Sequence, residues 1–452
     1  MTFYLHTYGC QMNVRDSEAA AALLVAAGHE PVAQERAADL VGVNSCSVRG
    51  KAEDKALGKL RLLVKSKRTH PGRLVGAMGC MVQRLGPALL DQVPGLDFAV
   101  GTRASRHLPP LVSAALAGAA GQLVLGTADD TDVPHGHLAA TPSAYVTVLL
   151  GCNRRCAYCI VPEVRGPESS RPPRDIVAEV AARVADGVRE VTLLGQSVLN
   201  YGRQGSDVWA GEPASPGGYR EPFPRLIEAV SAIPGLARVR FTSGHPSGCS
   251  EELARAMAEL APVAPHLHLP VQSGSDAVLG RMRRGYTAAE YVAAVERLRQ
   301  RVPDCAITTD IIVGFPGETE SDFAATRALF EQVRFDNSFI FKYSPRPGTR
   351  AAEWPDDVPD AVKEHRNRVL LDDQDRIGLA RNEAWVGRVA EVLAEGPSLR
   401  NPRRWSGRNG QGKIVVFAPV EGLKAGSGVR VRIERAKPQT LYGVIENRGM
   451  TS

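Results

Sequence analysis

The first third of the chain alternates short, mostly apolar runs with segments of helical periodicity. The apolar runs cover 3–8, 40–43 and 74–78, and each is followed by glycine or polar residues, a pattern that predicts buried strands. Residues 17–27 and 51–66 carry apolar side chains at helical spacing. This alternation predicts an open parallel α/β sheet with helices on its faces.

The middle of the chain continues the same alternation for six further units. The predicted strands are 145–150, 190–194, 238–242, 266–271, 306–313 and 337–342. The predicted helices between them are 175–186, 224–232, 250–260, 287–301 and 321–332. Six βα units are too few for a closed eight-stranded barrel, so the pattern predicts an incomplete (β/α)6 barrel.

From about residue 377 onward, short strands are separated by glycine and proline. The runs 386–392, 413–417, 428–435 and 441–445 predict a small antiparallel β-barrel. The chain is therefore divided into an N-terminal α/β domain, a linker, a central barrel and a C-terminal barrel. Their predicted bounds are 1–118, 119–137, 138–376 and 377–447.

Charge separates the last segment from the rest. Residues 377–452 carry 13 Lys and Arg against 6 Asp and Glu, whereas the first 376 residues have a net charge of −1. A basic module on a nearly neutral body predicts binding to a polyanion such as RNA. The candidate contact residues are Arg400, Arg403, Arg404 and Arg408, which are expected on loops, and Lys413 at the start of a predicted strand.

Overall composition is that of a globular protein, with 44% hydrophobic and 23% charged residues, which excludes a disordered chain or a collagen. The most apolar stretch, 111–126, is shorter than the ~20 residues that a membrane span needs, and it contains Gln122. Residues 1–6 lack the features of a signal peptide. We expect a cytoplasmic protein without membrane association, in which cysteines bind metal or react rather than form disulfides.

Three cysteines follow the first three strands of the predicted N-terminal sheet. Cys10, Cys46 and Cys80 are 36 and 34 residues apart, which is close to one βαβ repeat. Ligands of open parallel sheets bind outside the carboxyl ends of the strands. The three thiols can therefore converge at one edge, although three buried structural cysteines would show the same spacing.

A second set of three cysteines follows the first strand of the central barrel. Cys152, Cys156 and Cys159 form C-x-x-x-C-x-x-C, and three thiolates so close together can hold a [4Fe–4S] cluster. Because a fourth cysteine is missing locally, one iron is left open. Structural zinc is the alternative, but such a site takes four protein ligands, and no fourth Cys or His lies close in sequence.

This second set resembles the radical S-adenosylmethionine (SAM) superfamily, and the resemblance to one of its members, the methylthiotransferase family, extends along nearly the whole chain. The matching segments are 8–13 (YGCQMN), 44–49 (NSCSVR), 79–80 (GC), 151–162 (GCNRRCAYCIVP), 268–275 (HLPVQSGS), 313–319 (VGFPGET) and 343–349 (YSPRPGT). The resemblance implies two [4Fe–4S] clusters, with Cys10, Cys46 and Cys80 holding the auxiliary one. It also implies SAM at the second cluster, where it is cleaved to a 5′-deoxyadenosyl radical, and a terminal RNA-binding β-barrel of the TRAM kind.

The residues that follow Cys10 point to a branch of this family. Gln11-Met12-Asn13 resembles the branch that methylthiolates carbon 2 of N6-dimethylallyladenosine at position 37 of tRNA. One SAM then serves as the methyl donor and a second as the radical source. The alternatives are the branches that act on threonylcarbamoyladenosine or on a ribosomal protein, and a non-catalytic iron–sulfur RNA-binding protein.

Candidate cofactor residues lie at two strand ends. Gln272 and Ser273 follow a barrel strand, where barrel enzymes place active-site groups, although strand-end capping would look the same. By resemblance, Gly314, Pro316 and Glu318 lie near SAM, although a plain Gly/Pro turn is the alternative. No catalytic residue is assigned beyond the cluster ligands.

The expected partners are tRNA and an electron donor such as a flavodoxin or ferredoxin, and we expect a monomer. The sulfur source and the set of tRNAs are not indicated by the sequence. The chain departs from the family pattern at Ser197 and Leu199, where asparagines are usual.

Overall fold

A computed structural model describes residues 1–48, 50–127, 141–204 and 207–446. Within these, the chain forms two compact units. The first contains 1–127, 149–155 and 159–169, and the second contains 141–148, 156–158, 170–204 and 207–446. Arg49 and residues 128–137 of the predicted linker lie outside the described part of the chain, and the domain bounds stay a prediction.

The first unit is built on a six-stranded parallel sheet with strand order β2-β1-β3-β4-β5-β6. This confirms the predicted open parallel α/β fold. Its strands are β1 (Thr2–Tyr8), β2 (Glu30–Pro31), β3 (Leu40–Ser45), β4 (Leu74–Met78), β5 (Phe98–Val100) and β6 (Gln122–Val124). Its helices are α1 (Gln11–Ala26), α2 (Gly50–Ser66), α3 (Cys80–Leu85), α4 (Ala88–Gln92) and α5 (Leu108–Leu116).

Helices cover both faces of this sheet. Val41, Val75 and Ala77 share one hydrophobic cluster with Ala56 and Leu60 of α2. A second cluster lies on the other face of the sheet and combines strand residues with side chains of α1 and α5. Its members include Leu40, Leu74, Phe98, Leu24 and Val112. A sheet that is buried on both faces explains why its strands appear as continuous apolar runs in the sequence.

Six parallel strands form the central part of the second unit, in two three-stranded sheets ordered β11-β10-β7 and β12-β13-β14. The predicted number of βα units is thereby confirmed. The strands are β7 (Ser143–Thr147), β10 (Glu190–Leu194), β11 (Arg238–Phe241), β12 (His266–His268), β13 (Ala306–Val313) and β14 (Asn337–Lys342). Two further short strands, β8 (Leu149–Leu150) and β9 (Ser169–Ser170), pair with each other, and β8 belongs to the first unit.

The helices that follow β7 along the chain are α6 (Val161–Arg165), α7 (Pro173–Ala185), α8 (Pro222–Ser231), α9 (Glu251–Glu259), α10 (Asp276–Arg281), α11 (Ala288–Arg301) and α12 (Glu320–Val333). The sequence does not predict the two short helices α6, which belongs to the first unit, and α10, whereas the other five begin and end close to their predicted bounds. Single 3-10 turns lie at Glu35–Ala37, Ser105–His107, Val198–Asn200, Pro246–Gly248 and Arg350–Glu353. β12 ends three residues earlier than predicted, because Pro270 has no N–H to donate to a ladder and Gln272 has a left-handed backbone (φ 78°).

The chain ends in a closed barrel with strand order β15-β16-β17-β19-β18. Its strands are β15 (Val389–Ser398), β16 (Asn401–Asn409), β17 (Ile414–Phe417), β18 (Gly428–Lys437) and β19 (Thr440–Ile445). The predicted antiparallel barrel is confirmed except for one parallel pair, β17 with β19. The long helix α13 (Asp360–Glu383) precedes it, so the change of sequence pattern at residue 377 falls inside a helix.

The sequence prediction that the basic residues lie on loops is wrong for most of them, because 401–409 is strand β16. This strand went unrecognised since it has no apolar alternation over Asn401–Arg404. Lys413 does not fit a role in RNA binding either. Its ammonium group is buried, donating to Asp336 Oδ1 at 2.8 Å and to Asn382 Oδ1 at 2.7 Å.

No helix within the described residues is long and apolar enough to cross a lipid bilayer.

Candidate iron–sulfur sites

The first three thiols lie at the carboxyl edge of neighbouring strands. Cys10 follows β1, Cys46 follows β3 and Cys80 begins α3 directly after β4, and these strands are adjacent in the sheet. The Cys46 thiol donates a hydrogen bond to Cys10. The three cysteines thus lie at the same edge of the sheet and all are free thiols, while their joint binding of one cluster stays a prediction.

Glycine precedes two of these cysteines because no side chain fits there. A Cβ on Gly9 would lie 2.6 Å from Cys46 Cβ. A Cβ on Gly79 would collide with Asn44 Oδ1 and lie 3.0 Å from Ser45 O, and Gly79 also has φ 94°, which L residues rarely adopt. The Gly-Cys pairs of the sequence therefore mark tight strand ends that bring the thiols together.

Gly79→Ala is expected to lower the free energy of unfolding and to disturb the arrangement of Cys10, Cys46 and Cys80. The new methyl group must displace Asn44 or distort the backbone. The cost is expected to be about 1–3 kcal/mol of unfolding free energy. Gly58→Ala is the matched control, since Gly58 lies within α2 with open space around it and should gain up to about 1 kcal/mol. Denaturant unfolding of both variants measures these changes in stability. A Gly79→Ala midpoint concentration as high as that of the unmodified protein would contradict the packing argument.

A buried amide network fixes the position of Cys10. Asn13 Oδ1 accepts from the Cys10 backbone N–H at 3.3 Å and from the thiol at 3.4 Å. Asn13 Nδ2 donates to Asn44 Oδ1 at 3.2 Å, and Asn44 Nδ2 donates to Ser17 Oγ at 2.9 Å. Asn13 thereby connects the helix that begins after Cys10 to β3, the strand that ends just before Cys46.

The three thiols differ in acidity. The hydrogen bond from Cys46 lowers the pKa of Cys10 to about 6, with a further contribution from the positive charge of Arg165. The same hydrogen bond and burial raise the pKa of Cys46, and burial raises that of Cys80. Three cysteines at one edge of a sheet are a donor set suited to a cluster, because iron–sulfur clusters are held by cysteine thiolates, and all three thiols must be deprotonated to bind iron.

An arginine that follows the second cysteine motif belongs to this first site. Arg165 ends α6, and its Nε donates to Cys80 Sγ at 3.2 Å. Its two terminal nitrogens donate to the carboxylate of Asp16 at 3.3 and 2.6 Å. Ile160 and Val164 pack on Cys80, so the whole of α6 is part of this wall of the site.

The second cysteine set begins with the same steric device. Gly151 has φ 72°, and a Cβ there would collide with the carbonyl oxygens of Gly166 and Pro167. The Cys152 backbone N–H donates to Gly166 O at 3.1 Å. All three cysteines of this motif are half-buried free thiols, so they can take a ligand without first breaking a disulfide.

In the second unit, Cys156 lies beside a buried guanidinium. Arg284 Nη1 donates to Cys156 Sγ and to the Tyr158 hydroxyl, both at 3.4 Å. Its Nη2 donates to Pro270 O at 2.8 Å, and its Nε donates to the Tyr286 hydroxyl at 2.9 Å. Sequence reasoning missed Arg284, because a pair of arginines after a short helix is typical of a solvated surface.

The turn after β13 packs against Tyr158 of the second cysteine motif. The Phe315 ring contacts Tyr158 edge-on, with ring centroids 6.4 Å apart. Gly314 and Pro316 are buried on either side of it. Glu318 has an internal role, since its carboxylate accepts from Gly314 N–H at 2.6 Å and from Arg366 at 2.8 Å with 1% of its side chain exposed.

Gln272 and Ser273 follow the end of β12, and Gln272 forms an isolated parallel bridge with Ile311 of β13. Gln272 is a buried residue with a left-handed backbone, held by hydrogen bonds to Asp310 O and from Ile312 N–H. Such strain persists only where the surroundings impose it, and it is common at functional sites. The Ser273 hydroxyl is used within the fold, since it accepts from Ser275 N–H at 3.2 Å.

The departures at Ser197 and Leu199 follow β10. Leu199 is buried and fills the space left by two glycines, since a Cβ on Gly248 would lie 2.6 Å from Leu199 Cβ and one on Gly244 would lie 3.0 Å from Leu199 Cδ1. Gln196 Oε1 and Ser197 Oγ are buried with no hydrogen-bond partner among the described residues. These two atoms at a strand end are available to a polar ligand.

The basic surface of the terminal barrel consists of two kinds of arginine. Arg400, Arg403 and Arg404 are exposed and form no ion pair with any described residue. Arg408 is also exposed, but it pairs with Glu395 at 2.5 Å.

The described residues contain no group of three or more His, Cys, Asp or Glu side chains placed so that they could hold one metal ion.

Three known families match consecutive parts of the chain. Residues 2–101 match the uncharacterized protein family UPF0004, residues 146–330 match the radical SAM superfamily, and residues 383–445 match the TRAM domain. Among solved structures, the radical SAM methyltransferase TsrM from Kitasatospora setae is similar, with a TM-score of 0.56 and 15% identity over 78% of this chain and 74% of that one. Fold and cysteine motif together define a radical SAM protein with a TRAM barrel.

Relatives that match over their full length narrow this class. The tRNA-2-methylthio-N(6)-dimethylallyladenosine synthases of Akkermansia muciniphila and Moorella thermoacetica are each 44% identical, covering 98% of this chain and 98% of their own. That of Geotalea uraniireducens is 45% identical over 97% of this chain and 98% of its own. The chain belongs to the family of tRNA-2-methylthio-N(6)-dimethylallyladenosine synthases, which confirms the resemblance stated from its motifs.

Proposed function

We propose that this protein transfers a methylthio group to carbon 2 of N6-dimethylallyladenosine at position 37 of tRNA. The observation that carries the proposal is the pair of cysteine sets, one at the edge of the N-terminal sheet and one after β7, in a chain that also ends in a TRAM barrel. The full-length relatives that carry this activity in their names support it. The branches that act on threonylcarbamoyladenosine or on a ribosomal protein are not favoured by these relatives.

Both cysteine sets fit [4Fe–4S] clusters as donor sets. Cys10, Cys46 and Cys80 hold the auxiliary cluster, and Cys152, Cys156 and Cys159 hold the cluster to which SAM binds. When bound, these groups supply the sulfur, the methyl group and the radical chemistry, with one SAM as methyl donor and a second as radical source. An electron donor such as a flavodoxin or ferredoxin reduces the protein, which acts as a monomer.

The contribution of the chain itself is to hold and orient. Gly9, Gly79 and Gly151 leave space at the strand ends, so the thiols point where iron is bound rather than into side chains. Gln272, with the turn of Gly314 and Pro316, lines the SAM site beside Tyr158. Ser273 and Glu318 hold that site in shape from within, because their polar groups already have partners in the fold.

The terminal barrel binds the tRNA backbone through the unpaired arginines of β16 and the turn before it. Phosphate contacts of this kind give affinity without sequence selectivity. The target adenine is paired or stacked in its loop, so it must leave the stack to reach a cluster, as other base-modifying enzymes require. We therefore assign affinity for tRNA to the terminal barrel and selection of the base to the region of the six βα units.

Arg403→Ala/Arg404→Ala is expected to weaken tRNA binding and to reduce its salt dependence. Each lost phosphate contact should lower the slope of log Kd against log salt by about 1. Arg408→Ala is the matched control on the same strand, because its charge is already paired with Glu395, and its slope should stay close to that of the unmodified protein. Filter binding between 50 and 200 mM salt, a range of about fourfold, measures both slopes; equal slopes in all three proteins would contradict this placement of the RNA surface.

The proposed activity is tested with anaerobically reconstituted protein, reductant, sulfide, SAM and tRNA that carries dimethylallyladenosine but no methylthio group. Mass spectrometry of the digested nucleosides should show the 2-methylthio product at position 37. Formation of 5′-deoxyadenosine without this product would support cleavage of SAM by this protein but reject the proposed substrate. Absence of both from protein shown to carry two clusters would reject the enzyme function.

A further inference from the structure

Each cysteine set has one sulfur in contact with a buried arginine that is not a cluster ligand. Arg165 is 5% exposed and donates from Nε to Cys80 Sγ at 3.2 Å. Arg284 is 7% exposed and donates from Nη1 to Cys156 Sγ at 3.4 Å. Burying a guanidinium is costly unless its N–H groups are satisfied, so two such residues placed against cysteine sulfur need an explanation.

Arg165 is held as a bidentate clamp with a neutral total charge. Asp16 takes both terminal nitrogens, and it lies on α1, six residues after Cys10. The backbone of the arginine is fixed as well, because Arg165 O accepts from Arg103 Nε at 2.8 Å. Through these contacts one side chain fixes the positions of Cys80 and of the helix that begins after Cys10.

Arg284 is held differently, by uncharged oxygens. Its partners are Pro270 O and the hydroxyls of Tyr286 and Tyr158, and Tyr286 is itself anchored by donating to Val271 O at 2.8 Å. No carboxylate of the described residues forms an ion pair with Arg284. Cys156 therefore has a rigidly placed positive charge beside it that no anion of the described residues balances.

We propose that Arg165 and Arg284 are positioning residues, each for one iron–sulfur cluster: Arg165 fixes and retains the auxiliary cluster, and Arg284 sets the reduction potential of the cluster that binds SAM. This inference rests on the proposed function, which assigns the two cysteine sets to clusters. Reduction adds an electron, so an N–H···S bond and an unbalanced positive charge favour the reduced form. Arg165, whose charge Asp16 balances, should act mainly on geometry and retention.

The test separates the two clusters in the full chain. In one background Cys152, Cys156 and Cys159 are replaced by alanine, and in the other Cys10, Cys46 and Cys80 are replaced. Arg165→Gln and Arg165→Lys are made in the first background, and Arg284→Gln and Arg284→Lys in the second. Iron content, the rate of cluster loss to a chelator and the midpoint potential from EPR-monitored titration are measured without substrate.

Arg165→Gln is expected to speed loss of the auxiliary cluster about tenfold, within the range known for residues that support metal ligands. Arg165→Lys should retain the auxiliary cluster little better than Arg165→Gln, because an ammonium group cannot bridge Cys80 and Asp16 as the planar guanidinium group does. Arg284→Gln should lower the midpoint potential of the other cluster, and Arg284→Lys should restore most of it, because charge is what matters there.

Unchanged cluster loss in Arg165→Gln, or an unchanged potential in Arg284→Gln, would overturn the corresponding half of the inference. If a glutamine variant fails to fold, Asp16→Asn or Arg284→Met provides the deciding measurement. Asp16→Asn should then speed loss of the auxiliary cluster, and Arg284→Met, which removes the charge, should lower the midpoint potential of the other cluster; an unchanged value in either would overturn that half. Parent backgrounds that bind no iron would instead reject the proposed function, so the two failures are distinguishable.

Discussion

Cys152→Ala is expected to abolish both 5′-deoxyadenosine formation and the methylthio product. Its cluster has only three protein ligands, so removal of one leaves two thiolates for a [4Fe–4S] cluster that must also keep one iron open. The fold should survive, because the backbone N–H of Cys152, which the substitution leaves in place, anchors this residue to Gly166 O. Quantification of 5′-deoxyadenosine by mass spectrometry measures the effect.

Cys249→Ala is the matched control for this variant. Cys249 is buried in the same unit as Cys156, its thiol has no role in either cysteine set, and burial raises its pKa to about 11. It should cost some stability through the lost packing but leave cleavage of SAM in the folded protein unchanged. Retained 5′-deoxyadenosine in Cys152→Ala would refute the assignment of this cluster.

Cys46→Ala is expected to spare cleavage of SAM and to block methylthiolation. Cys46 donates to Cys10 and accepts from Val48 N–H at 3.2 Å, so its loss removes one auxiliary ligand and disturbs a second. The reconstituted protein should hold about half the iron of the unmodified one. It should form 5′-deoxyadenosine with no 2-methylthio product.

Cys305→Ala serves as the control here, because Cys305 is a fully buried thiol outside both cysteine sets. It should keep the full iron content and both products. The two cysteine variants together form a reciprocal test, since one loses both products and the other only one. Methylthio product from Cys46→Ala would remove the auxiliary cluster from the mechanism.

The sequence determined the architecture of this protein to a large extent. Parallel strands buried on both faces are mostly apolar runs, which is why the sequence predicts 74–78 and 190–194 correctly to the residue. The strand β16 was missed for the opposite reason, because its first half consists of Asn401, Pro402, Arg403 and Arg404 and presents no apolar face. Hydrogen-bonded pairing with β15 and β17 makes this segment a strand, although its local sequence does not predict one.

The positions of the candidate cluster cysteines could also be predicted from the sequence, because Cys10, Cys46, Cys80 and Cys152 each follow a strand and three of these four follow a glycine. A thiol after a strand of a parallel sheet has only one edge on which to lie. The structure adds that these glycines are required sterically, which no spacing rule shows. Lys413 marks the limit of reasoning from charge, since its ammonium group is buried against Asp336 instead of facing RNA.

Only the tertiary structure decided which charged groups support the two cysteine sets. Arg165 lies 85 positions from Cys80 and Arg284 lies 128 from Cys156 along the chain, so no local motif joins either pair. Short-range pattern determines strands, helices and the residues at their ends, because these follow from backbone hydrogen bonding and burial over a few residues. The partner of a buried charge is chosen by how those elements pack, which is a property of the whole fold.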